Sequence, residues 1–354
     1  MKKVSDLKVL VFLLMLPVIL SQMAIDLYLP SMPSIAKYFN LAPQGIQLTL
    51  TFYLFGFGIS QIFYGPLSDR YGRWRMLVIG TVIFCLATVG SFLSLSGTAI
   101  LSFRFVQGIG AGAMTVIPRA ILRDFFDGKA LAKILSYFAI VWALVPVVAP
   151  VAGGYIQYYF TWKGNFLFMF FLGIVVLLAI SFFRTSSQKT LSTSIKQVFS
   201  NYFEIVKHKQ FMGYLGCTIL VYTMLIAYIT ASPFLFQTSL HFSPIQYGWL
   251  TIVVTIMFLI GVFLNAKLLS FYGVHFLVKL GVTLNLIGSI AMLVLALLGY
   301  FNIWVIILPM SIIIFSAGFI FPNCAAGGLM LFSHCIGAAS AMLGCIQLIA
   351  CSIV

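Results

Sequence analysis

Residues 65–75 read GPLSDRYGRWR and lie between two long apolar runs of the chain. Their spacing, G-x-x-x-D-R-x-G-R, places one acid among several arginines where the chain leaves one run and enters the next. Asp69 and Arg73 can pair with charges on neighbouring helices, and Asp69 could also lie against a helix N-terminus. We interpret the segment as a tight loop between two membrane helices. The alternative is a basic turn that only fixes the topology.

The composition around this segment is that of a membrane protein. Of the 354 residues, 62% are hydrophobic and 7% are charged, and a soluble domain needs a more polar surface than that. A membrane helix requires about 20 apolar residues. Such runs occur eleven times without the period-two alternation of a barrel, which predicts an all-α bundle. The runs are residues 9–30, 46–65, 76–96, 98–118, 131–157, 164–183, 211–231, 246–270, 276–300, 304–323 and 336–354.

The net charge of +14 is distributed as the positive-inside rule predicts. If the N-terminus is cytoplasmic, all 20 Lys and Arg lie on the cytoplasmic side except Lys37, Lys163 and Arg104. The charge therefore indicates a multi-pass protein of the inner (plasma) membrane and no nucleic-acid partner. The first run is too long for a signal peptide and lacks a small-residue cleavage site, so we expect it to be retained.

A long polar segment divides the chain into two halves. We expect a six-helix half at residues 1–184, a cytoplasmic linker loop at 185–210 and a five-helix half at 211–354. Two multi-span halves joined by a basic loop are typical of duplicated transporters. The second half is one helix short of six. We therefore expect an eleven-span version of a twelve-span bundle, with its twelfth helix missing, that is less stable and exports poorly.

The residues that catalysis or metal binding would need are scattered. The six cysteines form no C-x-x-C pair, the four histidines lie near the ends of runs, and no Ser-His-Asp set can be assembled. We expect no enzyme activity, no metal and no cofactor.

Three motifs together resemble the major facilitator superfamily. The 65–75 segment resembles its loop signature, and RFVQGIGAGA at 104–113 resembles its fourth-helix motif. VPVVAPVAGGYI at 145–156 resembles the fifth-helix antiporter motif. It keeps Pro150, Gly153 and Gly154 but has Val145 and Ala149 in place of two glycines.

Longer stretches narrow the resemblance to one group. IDLYLPSMPSIAKYF, AILRDFF and AYITASPFLFQTSLHFSPIQYGWL are similar to the bicyclomycin-resistance (Bcr/CflA) drug–proton antiporters. The resemblance implies export of small amphiphilic drugs against proton entry by alternating access, by a protein that we expect to be a monomer. It also implies a gating segment built from Gly65, Asp69, Arg70, Gly72, Arg73 and Asp124.

We expect this gating segment to close the cytoplasmic face. Asp69 would lie against the start of the last run near Ile336, and Arg73 would pair with Asp124. Such contacts form only when this face is closed, so they would favour the outward-open state.

Asp26 is the candidate proton carrier. It lies one helical turn after Gln22, hence on the same helix face, and at a membrane depth similar to that of Arg104. A membrane arginine faces the bundle interior and finds a partner there, and Asp26 is the acid nearest in depth. The alternative is an aspartate at a wet helix end.

Aromatic and amide side chains predict the wall of a substrate cavity. Stacking and cation–π contacts suit amphiphilic, often cationic, ligands. Packing or contact with lipid is the alternative role for these rings. The predicted lining residues are Gln22, Tyr53, Phe57, Gln61, Gln107, Tyr222 and Tyr228.

Two other functions fit the same features. An exporter of a metabolite, such as a sugar or an amino acid, would share every motif except the narrow group resemblance. A membrane receptor or a truncated, inactive remnant would also fit the short second half.

Overall fold

The computed structural model describes residues 4–126, 128–182, 195–332 and 335–353, and every regular element in this part is a helix. The helices of the first half surround Asp26 and Arg104, and those of the second half follow a linker helix. In chain order they are α1 (Val4–Asp26), α2 (Met32–Tyr38), α3 (Pro43–Tyr71), α4 (Arg73–Phe92), α5 (Gly97–Phe125), α6 (Gly128–Phe182), α7 (Ile195–Lys207), α8 (Lys209–Phe234), α9 (Pro244–Leu297), α10 (Ile303–Met330) and α11 (Ile336–Cys351).

The described part contains eight helical segments that are long and apolar enough to cross a membrane. Two of them are too long for a single crossing: 54 residues of helix span about 80 Å, whereas the hydrocarbon core is about 30 Å thick. Each is interrupted, α6 at Thr161 (φ 63°, ψ 178°) and α9 at Gly273 (φ 72°, ψ 168°). The chain is therefore a multi-pass helical membrane protein. The helix α11, with 16 residues, is shorter than the eight.

The interpretation of residues 65–75 as a loop is wrong for most of its length. The helix α3 continues through Pro66 to Tyr71, and α4 begins at Arg73. Gly72 alone breaks the helix, with φ 94° and ψ 131°, a region that only glycine adopts without strain. A proline inside a helix removes one hydrogen bond but does not have to end the helix. The glycine therefore makes the turn, and the charges lie on helix ends.

The predicted linker contains a helix. Residues 185–194 lie outside the described residues, and α7 occupies Ile195–Lys207. Its Tyr202 and Ile205 are buried in one cluster with Phe211 and Phe332, which belong to the second half. The described part of the linker is therefore attached to the half that follows it.

In the part of the chain that the structure describes, two helix pairs make the largest contacts between the two halves. In one, α3 packs on α11: a side chain at Gly344 would come within 2.7 Å of the Gln61 amide oxygen. In the other, α6 packs on α9, and a side chain at Gly248 would come within 2.7 Å of the Pro150 carbonyl oxygen. Small residues allow membrane helices to approach this closely. We call these contacts the α3–α11 seam and the α6–α9 seam.

Candidate functional site

Asp26 ends α1 and is buried, with 6% of its surface exposed. The amide of Gln22, one turn earlier, forms a hydrogen bond with the carboxylate. The second carboxylate oxygen, Oδ2, and the Gln22 oxygen Oε1 are buried without a partner in the described part of the chain. Buried acceptors without donors are costly. The end of α1 thus offers two unfilled acceptors to a proton, a water or a ligand.

Arg104 lies on α5 and is completely buried. Its guanidinium donates to the Ala24 carbonyl at 2.9 Å and to the Gln107 side chain at 2.6 Å. The centres of the Tyr28 and Tyr53 rings lie 4.2 and 4.4 Å from its central carbon, so both rings make cation–π contacts with it. Its Nε is buried without a partner in the described residues.

The expected pairing of Arg104 with Asp26 is not formed. No ion pair joins the two within the described residues, although Arg104 bonds to the backbone of Ala24 on the same helix as Asp26. A carbonyl, an amide and two aromatic rings stabilise the guanidinium instead. These neutral partners carry a lower desolvation cost than a second buried charge would. Asp26 is therefore a buried acid without a bound cation.

The predicted cavity residues of the first half are held by contacts with other groups of the protein. Tyr53 donates to the Ser21 carbonyl at 2.6 Å. Gln107 accepts from Arg104 and donates to Thr88 at 2.7 Å, so both ends of its amide are used. Phe57 is buried beside Tyr53, with ring centroids 5.9 Å apart, and Gln61 lies in the α3–α11 seam. Tyr53 and Gln107 therefore position Arg104.

The second half presents tyrosines towards Asp26. Tyr222 and Tyr228 of α8 are half-buried, and Tyr222 lies in the neighbourhood of Asp26. Tyr247 of α9 lies in the same neighbourhood, and its hydroxyl lies 2.9 Å from that of Ser232. The sequence analysis missed Tyr247 and Tyr28. The position of Tyr28 two residues after Asp26 was the available signal for the latter.

Amide side chains join the halves near Asp26. Gln47 donates to the Thr230 carbonyl at 3.2 Å, and Gln237 donates to the Pro30 carbonyl at 3.0 Å. The sequence analysis missed both glutamines. Each is a polar side chain at the end of an apolar run, and this was the signal that could have identified it.

The charges around Gly72 form a compact group. Arg73 Nε lies 2.5 Å from Asp124 Oδ2, as predicted, and its Nη2 lies 3.1 Å from Asp69 Oδ1. The contact of Asp69 with the start of α11 near Ile336 stays a prediction. Arg70 is exposed over the Tyr71 ring, and Gly65 has open space around it.

The antiporter-motif residues lie at helix crossings. A side chain at Gly153 would collide with the Leu27 carbonyl, which directly follows Asp26. A side chain at Gly154 would collide with the Pro244 carbonyl, at the first residue of α9. With Pro150 against Gly248, this part of α6 touches both the Asp26 region and the second half.

Comparisons with known proteins agree with this architecture. Residues 14–354 match the Major Facilitator Superfamily. The uncharacterized MFS-type transporter YdgK of Bacillus subtilis is 30% identical over 350 residues, which cover 98% of this chain and 87% of that protein. A bicyclomycin resistance protein homolog of Haemophilus influenzae is 25% identical over 351 residues, 95% of this chain and 86% of that protein. A crystal structure of a D-xylose–proton symporter matches in fold, with a TM-score of 0.77 at 18% identity, over 98% of this chain and 88% of the symporter.

Proposed function

The chain belongs to the Major Facilitator Superfamily, and from this premise we propose that it exports small amphiphilic drugs in exchange for protons by alternating access. Membership makes it a membrane transporter of small molecules and not an enzyme. The drug-export part of the proposal is supported by the relative from Haemophilus influenzae, which is named for bicyclomycin resistance. It is also supported by the aromatic rings of Tyr28 and Tyr53 beside Arg104 and by the ring of Phe57 next to Tyr53.

The buried, unpaired carboxylate of Asp26 carries the proton-coupling part of the proposal. An acid in the membrane interior without a cationic partner can exchange a proton at modest cost, whereas a tight ion pair holds its charge. Arg104 contributes as a fixed positive charge near that acid. Tyr222 and Tyr247 bring the second half within electrostatic range, so a change at Asp26 can affect both halves.

The breaks in α6 and α9 support the eleven-crossing arrangement. Dividing each of the two long segments at Thr161 and Gly273, and counting α11 as a crossing, yields the eleven crossings that we propose. With a cytoplasmic N-terminus, Asp26 lies near the outer face and the Arg73 charge group lies at the cytoplasmic face. The protein would then work in the inner (plasma) membrane as a monomer.

Asp26→Asn tests the proton coupling directly. In inverted membrane vesicles that accumulate ethidium, we expect the variant to insert normally but to lose uptake driven by a pH gradient. Glu204→Gln is the matched control, since Glu204 is an exposed acid on α7. Unchanged pH-driven uptake by Asp26→Asn would refute the assignment. A panel of sugars and amino acids in the same vesicles tests for a metabolite exporter.

A further inference from the structure

Pro66 leaves one carbonyl of α3 without its helical donor. In an α-helix the carbonyl of residue 62 accepts from the N–H of residue 66, and proline has no N–H. The helix nevertheless continues through Pro66 to Tyr71. The Ile62 carbonyl, at the cytoplasmic third of α3, must therefore find a donor elsewhere.

Tyr202 of the linker helix α7 supplies that donor. Its hydroxyl donates to the Ile62 carbonyl at 3.3 Å, across 140 residues of sequence. The side chain is buried, with 8% of its surface exposed, so solvent competes little for the bond. Burial also raises the pKa of the Tyr202 hydroxyl to about 12, so it keeps its proton and remains a donor at physiological pH.

The packing of α7 makes this bond a link between the halves. Tyr202 and Ile205 are buried with Phe211 of α8 and Phe332, so α7 moves with the second half. Ile62 packs on the edge of the same cluster but belongs to α3 of the first half. The bond thus lies beside the α3–α11 seam, where Gln61 meets Gly344.

We propose that Tyr202 is a positioning residue for the transport cycle. By donating a hydrogen bond to the Ile62 carbonyl, which Pro66 leaves without a helical donor, Tyr202 holds the cytoplasmic part of the α3–α11 seam closed. The proposal rests on the alternating-access function proposed above, since only a seam that opens during transport needs a contact that forms and breaks reversibly. A single neutral hydrogen bond suits this task, because it is strong enough to bias the closed state and weak enough to break during each cycle.

Cys345 provides a native probe of the seam. It is 1% exposed, and its carbonyl would lie 3.2 Å from a side chain at Gly58 of α3. Alkylation by N-ethylmaleimide, read for each cysteine by mass spectrometry, reports how often the seam opens. Two other cysteines report a general loosening of the fold: Cys351 of α11, whose thiol faces Thr223 of the same half, and Cys85, which faces Gly173. The assay requires no transported substrate, so failure of the proposed drug export leaves its outcome interpretable.

We expect Tyr202→Phe to raise Cys345 alkylation by about three- to tenfold, the range expected for one lost hydrogen bond, and to leave Cys351 and Cys85 unchanged. Tyr71→Phe, which removes an exposed hydroxyl near the same face, should change nothing. The decisive variant is Pro66→Ala, which restores the N–H of residue 66 as a helical donor to the Ile62 carbonyl. In that background Tyr202→Phe should have little further effect.

Three results would overturn the proposal. The first is an unchanged rate of Cys345 alkylation in Tyr202→Phe. The second is an equal rise in both backgrounds, which would mean that the phenol acts on Cys345 locally and not through the α3 carbonyl. The third is a general loosening of the fold. If Tyr202→Phe exposes Cys85 as well, the ring hydroxyl stabilises the whole fold and the specific role in the seam is wrong.

Discussion

Arg104 shows how a buried charge can be held without a counter-charge. Its guanidinium uses one carbonyl, one amide and two aromatic rings, all from the first half of the chain. A planar guanidinium can donate hydrogen bonds and stack on aromatic rings at the same time, whereas an ammonium group cannot stack and does not present two parallel N–H donors. The side chain is therefore a structural tie between α1, α3 and α5 as well as a fixed charge beside Asp26.

This tie predicts a loss of stability in Arg104→Lys. The charge remains, but the fork and both ring contacts are weakened, so we expect the free energy of unfolding to fall by about 1–3 kcal/mol. Thermal unfolding in detergent measures the change. Arg70→Lys is the control, because Arg70 is exposed over a single tyrosine ring. Equal melting temperatures for the two variants would contradict the prediction.

The charged residues of this site could be identified in the sequence more readily than the contacts that they make. Asp26 is conspicuous because acids are rare in an apolar run, and the Arg73–Asp124 pair follows from opposite charges near helix ends. The partners of Arg104 left no such signal, because a backbone carbonyl and tyrosine rings carry no charge. The mistaken pairing with Asp26 came from matching charge with charge.

Among the helices, α6 and α9 leave little room for an added side chain where they cross. At Gly248 a methyl group would lie 2.7 Å from the Pro150 carbonyl oxygen and 2.9 Å from the Val151 Cα. Both neighbours are backbone atoms, so the helices themselves would have to separate. Trp249 and Tyr155, whose polar atoms lie 3.4 Å apart, report on the same seam.

We therefore expect Gly248→Ala to push α6 away from α9. Disulfide formation between Tyr155→Cys and Trp249→Cys, in a background free of other cysteines, should become markedly slower. Gly213→Ala of α8 is the control, since a methyl group there would meet nothing within 4 Å. Unchanged cross-linking in Gly248→Ala would show that the seam tolerates the added methyl group.

At the level of elements, apolar runs were easier to predict than their ends. Hydropathy identifies a run, but the run at 46–65 is only part of α3, which extends to Tyr71 through charged residues. Proline and glycine near Asp69 suggested a loop, yet the helix accommodates Pro66 and stops only at Gly72. The helix α7 was missed because its polar face resembles a linker in composition.

For the whole molecule, the distribution of charge predicts the orientation in the membrane. The turn between α4 and α5 should face outward and the turn at Gly72 should face the cytoplasm. Leu95, in the first turn, is 85% exposed, and Tyr71, before the second, is 49% exposed. A membrane-impermeant maleimide added to intact cells should label Leu95→Cys and spare Tyr71→Cys. Labelling of Tyr71→Cys alone would reverse the orientation.

The bond between Tyr202 and Ile62 has a consequence for synthesis. The α3 carbonyl is made 140 residues before its donor, and at about 5–20 residues per second this interval lasts roughly 7–28 s. During that time the Ile62 carbonyl has to accept a hydrogen bond from another donor, such as water. The first half is therefore synthesised with one hydrogen bond still unmade, and the linker helix α7 completes it.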